Sequence, residues 1–466
     1  MGRLTISGAG AVVVDEFTQT AGDVVCVDGT VRRVGSLGAQ ESGAPGQAPD
    51  EVLDATGCVV TPGLVNAHHH LVQTAFRTLP ATRGVPMATW LAEMGAAYTR
   101  VGVDPELTHA AALAGLAESL LDGVTTVADH HLTWQPGVDP VALAQATAAA
   151  AAALGARLVF VRGTAGDDPD RAAASVEAIL AALLPATSAA ASGPPAPPGV
   201  PSPGAVPYGG VRPDGMLAVA VGPAGVHSDG PETFAALAEV AARYGLPRRT
   251  QANEQVDVAV AAERYGRRPL DLLDEWGWLA PDVTLAHLCG ITPGEVARLA
   301  AAGVTATHAP GADVPMGWGV APVAALRTAG VTVGLGTSGG GSNDAGHLLA
   351  DARLAMQVSA LAGPPLPARA VLGMATRGSA SGLRRPELGH LRPGAAADLC
   401  VWDVGGVDDA GVADPVAGLL WAAPGRRPRH VVVAGQVVVR DGRLVRGDER
   451  AIARRLTREL ATRPPR

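Results

Sequence analysis

The fold of this chain is decided by one stretch, Val59-Val60-Thr61-Pro62-Gly63-Leu64-Val65-Asn66-Ala67-His68-His69-His70. An apolar run of strand-forming residues reaches a Pro-Gly turn signal and then delivers three consecutive histidines. In an extended backbone the first and third histidines point to the same side, so His68 and His70 form a two-pronged clamp. Neutral imidazole is a very common ligand of zinc and similar ions. The stretch therefore predicts a metal site at a strand end rather than a surface histidine cluster.

The composition fits one large domain with a smaller appendage. The chain has 466 residues and 47% of them are hydrophobic, which is enough to bury a sizeable core. Its net charge of −8 gives no reason to expect a nucleic-acid partner. The four cysteines are far apart, lie in apolar runs and are expected to be buried thiols in a reducing compartment: Cys26, Cys58, Cys289 and Cys400.

Neither a signal peptide nor a membrane span is predicted. The first residues, Met1-Gly2-Arg3-Leu4-Thr5-Ile6, lack a long apolar core with a cleavage site. No run of 18 apolar residues is free of Gly, Pro or polar breaks. We therefore expect a cytoplasmic protein that has no membrane partner.

Both ends of the chain carry short strand patterns. Residues 3–35 alternate apolar and polar positions between Asp-Gly turns, and the same pattern returns over 397–403 and 430–442. Two such pieces around a large middle predict one small β-sandwich made from both ends. The predicted segments are an N-terminal sandwich segment over 1–57, a barrel over 58–388, a C-terminal sandwich segment over 389–446 and a helical tail over 447–466.

The middle of the chain predicts a (β/α)8 barrel. Helix-forming segments such as Pro105–Leu121 and Pro293–Ala302 alternate with strand-like runs. The alternative of an open doubly wound sheet is disfavoured, because no Gly-x-Gly-x-x-Gly opens a helix after the first strand. Segment 187–214, rich in Pro, Gly, Ala and Ser, is predicted to be a flexible surface insertion. The eight strand-like runs are 58–66, 124–129, 157–162, 217–222, 247–253, 283–289, 304–309 and 331–337.

In such a barrel the chemistry lies at the carboxyl ends of the strands. Polar side chains are concentrated at these predicted ends. For His130, His131, His227 and His308 a structural role in capping or packing is as plausible as a place in the pocket. The end residues are His68, His70, Asp129, His130, His131, Arg162, His227, Gln251, Glu254, His287, His308 and Ser338.

At these positions the chain resembles the amidohydrolase superfamily, and within it the branch of 8-oxoguanine deaminases and atrazine-type chlorohydrolases. The resemblance covers almost the whole length. It implies a barrel with a composite β-sandwich, one divalent metal that is usually zinc, and hydrolytic removal of an amino group or halide from a nitrogen heterocycle. The motifs that carry it are residues 62–70, 122–131, 253–255, 286–287, 319–323, 334–337, 342–344 and 394–399.

The resemblance also implies a role for single residues. His68 and His70 match two metal ligands, Glu254 matches a carboxylate that shuttles protons between water and the ring, and His287 matches a histidine beside the reacting water. Gln73 matches a side chain that contacts the heterocycle. These roles are consistent with one another, since a metal lowers the pKa of water, a carboxylate relays protons and a histidine stabilises developing charge.

Two positions depart from the family pattern. The third histidine ligand is replaced by Gln251, and the aspartate at the end of the eighth strand is replaced by Ser338. Both replacements are weak neutral ligands. We expect them to cost on the order of several kcal/mol of metal binding, given totals of roughly 10–16 kcal/mol for complete structural sites.

These residues are compatible with three different functions. First, a metal held by His68 and His70 takes a shifted third ligand, such as His287, Glu254 or His308, and hydrolysis survives. Second, Glu254 and His287 act without metal as an acid/base pair in a non-hydrolytic step on a heterocycle. Third, the chain is a pseudoenzyme that binds a ligand or a partner subunit.

Other features give weaker expectations. Trp318 and His131 are expected to contact the small-molecule substrate, together with Gln73. The tail over 446–466 is basic and helical, and it is expected to be solvated or packed on a neighbouring subunit. The resemblance implies a homo-oligomer.

Overall fold

The computed structural model describes residues 2–36, 51–184 and 208–466. The strands are β1 (Arg3–Val13), β2 (Gln19–Val27), β3 (Thr30–Gly35), β4 (Glu51–Asp54), β5 (Cys58–Pro62), β6 (Leu64–His70), β7 (Val124–His131), β8 (Arg157–Thr164), β9 (Leu217–Pro223), β10 (Arg248–Ala252), β11 (Val283–His287), β12 (Thr305–His308), β13 (Val333–Leu335), β14 (Ser338–Gly339), β15 (Leu399–Asp403), β16 (His430–Val433), β17 (Gln436–Arg440) and β18 (Arg443–Leu444).

Helices of very different lengths connect these strands. The α-helices are α1 (Met87–Val101), α2 (Pro105–Leu121), α3 (Pro140–Leu154), α4 (Pro169–Leu183), α5 (Pro231–Tyr244), α6 (Gln255–Tyr265), α7 (Pro269–Glu275), α8 (Pro293–Ala302), α9 (Pro310–Asp313), α10 (Val323–Thr328), α11 (Leu348–Ala362), α12 (Ala368–Gly373), α13 (Ser379–Gly382), α14 (Pro415–Trp421) and α15 (Glu449–Ala461). Short 3₁₀ turns cover Leu71–Phe76, Pro80–Thr82 and Val407–Asp409, and a π turn covers Met374–Gly378.

The sheet built from the middle of the chain is the predicted barrel. Its strands are all parallel and follow the order β13-β12-β11-β10-β9-β8-β7-β6-β14. Both end strands belong to one stretch, Val333–Gly339, so this stretch closes the barrel by pairing with β12 on one side and with β6 on the other. At the break between β13 and β14, the Thr337 N–H donates to the His68 carbonyl at 3.1 Å. The expectation of a (β/α)8 barrel is confirmed.

The local sequence accounts for the strands and helices of the barrel. Every residue of β7 and β8 is buried, which explains their near-continuous apolar runs, because barrel strands are covered on both faces. Helix α2 begins where Asp104 caps it by accepting from the Leu107 N–H at 2.9 Å, with a proline at the first helical position. It has the bounds predicted from the sequence.

The second sheet, also of nine strands, joins both ends of the chain, as predicted. Its order is β18-β17-β16-β15-β5-β1-β2-β3, with β4 added to β1. The sheet curls, because the Val31 N–H on β3 donates to the Ala395 carbonyl just before β15. A core of its own lies inside the curl, and its largest buried members include Leu4, Ile6, Val24, Val60, Leu399 and Val401.

Gly63 divides the predicted first strand in two. Residues Cys58–Pro62 pair antiparallel with β15, whereas Leu64–His70 runs parallel to β7 in the barrel. A Cβ at Gly63 would collide with the side chain of Thr125, so only glycine fits where the chain crosses between the sheets. The junction between the two sheets therefore lies at Gly63, five residues later than the boundary predicted from the sequence.

The predicted insertion 187–214 falls largely outside the described residues. Its described end lies on the barrel, where the Gly209 N–H donates to the Tyr244 carbonyl at 2.8 Å and the Val219 N–H donates to the Gly210 carbonyl at 2.8 Å. None of the helices in the described ranges combines the length and the apolar character needed to cross a membrane.

The C-terminal helix α15 lies on its own chain. Arg463 pairs with Asp104 at 2.8 Å, and the Arg466 guanidinium donates to the Ala75 carbonyl at 2.8 Å. Ile452 is buried between the helix and the body of the molecule. Most residues of the tail are exposed, so these contacts are compatible with the expectation of a solvated tail, and packing on a neighbouring subunit stays a prediction.

Candidate active site

One cavity of about 450 Å³ opens at the carboxyl ends of the barrel strands. Because all these strands are parallel, their ends meet at one mouth and bring distant parts of the sequence together. The polar side chains around the cavity are those of His70, Gln73, Tyr98, Thr99, Asp129, His130, His131, Thr133, Gln135, His227, Ser228, Gln251, Glu254, His287 and Ser338.

The end of β6 presents two neutral imidazoles. The rings of His68 and His70 meet edge-on with their centroids 4.8 Å apart. The His70 Nδ1 lies 2.7 Å from the His130 carbonyl, which orients the ring and leaves Nε2 as the free atom. Burial lowers the pKa of His70 to about 4 and holds that of His68 well below its usual value. Both rings are therefore neutral and able to bind a metal ion.

His69 points away from this pair, as the strand alternation requires. Its Nδ1 lies 2.8 Å from the Thr337 hydroxyl, which also accepts from the Asn66 side-chain amide at 2.7 Å. These bonds join the first and last strands of the barrel directly behind the two free imidazoles.

A second cluster lies at the ends of β10 and β11. Glu254 immediately precedes helix α6, and its Oε1 lies 3.8 Å from the Nε2 of His287. The other ring nitrogen of His287, Nδ1, lies 2.8 Å from Asp313 Oδ1. Burial raises the pKa of Glu254. Burial opposes protonation of His287, but the carboxylates of Asp313 and Glu254 outweigh it and raise the pKa of that imidazole.

The backbone at these strand ends adopts left-handed conformations. The φ angles of Asn253, His287 and Ser338 are +53°, +72° and +55°, a region that non-glycine residues seldom occupy. Strain of this kind often accompanies functional sites, because the surrounding structure must hold it. Here the left-handed backbone conformation turns the side chains around residues 254, 287 and 338 into the cavity.

The two substituted positions also face the cavity. The Gln251 side-chain N–H donates to the Ala224 carbonyl at 3.1 Å, which leaves the amide oxygen as its other polar atom. Ser338 pairs with His69 in the β14–β6 register. Among the described residues, the tight groups of three candidate metal-binding side chains both contain Glu254 and neither contains a β6 histidine: Glu254 with His287 and Asp313, and Glu254 with His227 and Asp257.

A divalent ion nevertheless fits beside the β6 histidines. The Nε2 atoms of His68 and His287 are buried and have no hydrogen-bond partner, and the two ring centroids lie 5.2 Å apart. Buried nitrogens of this kind are normally paired, so an unpaired set points to a missing ligand. The residues that would hold the ion are His68 and His70, with His287 as the nearest further imidazole and Gln251 and Ser338 as weak oxygen donors.

The side chains predicted to contact substrate all line the cavity. The Gln73 side-chain oxygen accepts from the Gly341 N–H at 3.1 Å. The His131 Nε2 lies 3.1 Å from the Thr133 carbonyl. Trp318 meets Trp90 edge-on with the ring centroids 5.3 Å apart.

Of the four histidines for which the sequence left open a structural role or a place in the pocket, three line the cavity and one does not. His130, His131 and His227 line the cavity, whereas His308 does not. The His130 Nε2 lies 2.8 Å from the Gly222 carbonyl, so that ring is also held in place by the barrel.

Sequence reasoning missed the carboxylates that orient the histidines. Asp313 holds His287, and Asp257 holds His227 through a 2.7 Å contact to Nδ1. Asp257 lies one helical turn past Glu254, a spacing that could have identified it. Asp313 lies in a short helix after β12, and nothing in the sequence links it to His287.

The comparisons with known proteins agree with this fold. The chain is 33% identical to an 8-oxoguanine deaminase of Pseudomonas aeruginosa, over 95% of each protein. It is 32% identical to a 5-methylthioadenosine/S-adenosylhomocysteine deaminase of Halobacterium salinarum, over 99% of this chain and 98% of that one. A solved atrazine chlorohydrolase from Arthrobacter aurescens TC1, complexed with zinc, superposes with a TM-score of 0.86 at 34% identity, over 98% of this chain and all of that one.

The resemblance inferred from the sequence motifs is thus confirmed at the level of the family and of the branch. Residues 59–438 match the model of the amidohydrolase family, and the chain belongs to that family.

Proposed function

We propose that this chain hydrolyses a C–N or C–halogen bond on a nitrogen heterocycle. The observation that carries the proposal is that Glu254, His287 and His70 line one cavity. The buried ring of His68 lies against this group, with its centroid 4.8 Å from that of His70 and 5.2 Å from that of His287. The relatives support the class of substrate, since their names specify an oxopurine, a thioadenosine and a triazine.

The residues divide the reaction between them. Water loses a proton to Glu254 while its oxygen bonds to the ring carbon. Glu254 passes this proton to the ring nitrogen, then takes the second proton from the added hydroxyl and passes it to the amino group, so that the C–N bond breaks and ammonia and an oxo-heterocycle are released. Asp313 fixes His287 through Nδ1, which leaves Nε2 to hydrogen-bond the reacting oxygen and stabilise its charge. The chemistry that a divalent ion supplies in such a site is a lowered pKa of water.

We further propose that a divalent ion binds beside His68 and His70 with reduced affinity. The zinc in the solved chlorohydrolase supports the presence of an ion. The donors support its weakening, because the amide of Gln251 and the hydroxyl of Ser338 are poorer ligands than imidazole and carboxylate.

A metal-independent acid/base reaction is the second candidate. It is favoured by the fact that, in the described part of the chain, both tight groups of candidate metal-binding side chains are centred on Glu254. In this case Glu254 and His287 alone exchange protons with the heterocycle.

Two measurements separate the candidates. The purified protein is analysed for metal by mass spectrometry, and it is incubated with amino- and chloro-substituted purines, pterins and triazines while ammonia and chloride are measured. Release that stops with a chelator and returns with zinc supports the first candidate. Turnover that survives complete removal of metal supports the second, and no turnover of any compound would contradict the hydrolase proposal.

The location and assembly of the protein are also proposals. The cytoplasm is supported by the free cysteines, three of which are buried, since reduced thiols are typical of that compartment. A homo-oligomer is supported only by the family resemblance, and gel filtration with light scattering would test it.

A further inference from the structure

One wall of the active-site cavity is apolar. Met87, Trp90 and Met94 from α1, together with Trp318 from the segment after β12, line this side. All four belong to a hydrophobic cluster that is separate from the barrel core. The cavity therefore has a polar floor at the strand ends and a hydrocarbon wall above it.

The wall follows from the sequence of α1. Residues 87, 90 and 94 recur at the spacing that places side chains on one face of a helix, and all three are buried. Ala88 and Ala92 occupy the opposite face and are exposed. Because this face is turned to the cavity, the first half of the helix offers hydrocarbon to a ligand, whereas the polar groups that α1 contributes, Tyr98 and Thr99, lie further along it.

Contacts within the protein hold the wall in place. The Trp90 indole N–H donates to the Gly341 carbonyl at 3.0 Å, so its only polar atom is used and the rest of the ring faces its neighbours. Trp90 and Trp318 pack edge-on, an arrangement that aromatic pairs prefer. A preformed wall loses little side-chain freedom when a ligand binds.

The cavity has no arginine among its described lining residues, and the chain contains no lysine. The nearby Arg162 stacks on Trp134 and is engaged by Asp167 and Ser175. Glu254 and Asp129 are acidic lining residues. His227 lies against Asp257 and so has a carboxylate partner already. Among the described lining residues, no arginine or lysine side chain is therefore available to pair with a carboxylate or phosphate on the ligand.

We propose that the substrate carries an uncharged, apolar substituent that packs on Met94, Trp90 and Trp318 while its heterocycle lies on the polar floor. This inference rests on the proposed function, because it assigns the substrate of the same site. A cavity of about 450 Å³ holds a drug-sized ligand rather than a bare ring. Each methylene buried on the wall is expected to tighten Kd about fourfold, so a butyl chain gains about 10²-fold.

The test measures binding without turnover. Titration calorimetry on the metal-loaded Glu254→Gln protein gives Kd for two ligand series, N-substituted 2,4-diamino-1,3,5-triazines and 9-substituted adenines. Each series contains a methyl, a butyl and a 3-carboxypropyl derivative. The same titrations are repeated with Met94→Gln added, and with Ala92→Gln added as the matched control on the exposed face of the helix. Leu91→Gln, which also alters a lining residue, replaces Met94→Gln if circular dichroism shows that variant to be unfolded.

In at least one series, we expect the Kd of the butyl derivative to be at least tenfold lower than that of the methyl derivative. The Kd of the 3-carboxypropyl derivative should be at least tenfold higher than that of the butyl derivative. Met94→Gln should remove most of this preference, and Ala92→Gln should keep it. Equal Kd values for butyl and carboxypropyl in both series, or no binding of any ligand, would overturn the inference. If the wild-type protein prefers the butyl ligand but hydrolyses no heterocycle, the proposed function would be contradicted and the apolar binding site would still stand.

Discussion

The two polar regions of the cavity differ in how completely they match the family. The end of β6 keeps two well-oriented imidazoles, but the two positions that would complete a metal site are Gln251 and Ser338. The Glu254–His287–Asp313 cluster has every member in place, with His287 contacted on both nitrogens. This difference is the basis of our proposal that proton transfer is preserved while metal affinity is reduced. Substitutions in the two regions should therefore have separable effects.

The largest effect is expected from Glu254→Gln. It keeps the shape of the side chain but removes the group that moves protons, so kcat should fall by roughly 10²–10⁴-fold. Steady-state assays of ammonia or chloride release would measure this fall. Metal content by mass spectrometry should stay the same, and a variant that lost metal as well as activity would contradict the separation of the two regions.

The double variant Gln251→His with Ser338→Asp should strengthen the other region. It restores an imidazole and a carboxylate, and zinc affinity should rise by about 10²-fold or more, since complete zinc sites bind with roughly 10–16 kcal/mol. Competition with a fluorescent chelator would measure the change. Gln255→His, on the exposed first residue of α6, is the control. Unchanged affinity in the double variant would show that residues 251 and 338 do not face the ion.

A smaller loss is expected from Asp313→Asn. The amide still fills the space but no longer fixes the charged ring of His287, and a misplaced catalytic group can lower the rate by about 10²-fold. The loss should appear in kcat, with KM nearly unchanged. Asp351→Asn is the matched control, because that buried carboxylate bonds to Asn343 at 2.8 Å and does not line the cavity. Equal losses in both variants would point to a general loss of stability.

The smallest effect concerns the support behind the β6 histidines. Thr337→Val leaves the amide of Asn66 and the ring of His69 without their shared partner, and it should lower the free energy of unfolding by about 1–3 kcal/mol. Chemical denaturation would measure this change. Thr126→Val is the control, since the Thr126 hydroxyl is buried without a hydrogen-bond partner and its removal should cost nothing. A neutral Thr337→Val would mean that these bonds do not support the barrel closure.

Much of the barrel could be predicted because burial on both faces leaves a clear mark in the sequence. The apolar runs at 124–129 and 157–162 became strands that extend two residues further, and Pro105–Leu121 became a helix with those bounds. The break at Gly63 was missed because both of its flanks are equally apolar. Only the three-dimensional structure shows that the flanks belong to different sheets.

The site was predictable to the extent that it lies at strand ends. His68, His70, Glu254 and His287 could be placed together by counting strands and by family resemblance. Trp318 was expected from the sequence to contact the substrate, but Asp313, Met87 and Met94 could not be placed at the site. Each of these three comes from a segment between strands whose position depends on tertiary packing. Residues 87, 90 and 94 show the periodicity of a half-buried helix, but that pattern does not distinguish a helix on the core from one over a cavity.

The bond between Asn66 and Thr337 links positions 271 residues apart. Contacts between such distant residues form late in folding, because closing a long loop costs chain entropy before any contact compensates it. During synthesis β6 is made early, whereas its partner β14 emerges only after seven other strands of the barrel. Until then β6 is an unpaired sheet edge, which invites aggregation. Slow translation or chaperone binding while the second half of the chain is made should therefore decide the yield of folded protein.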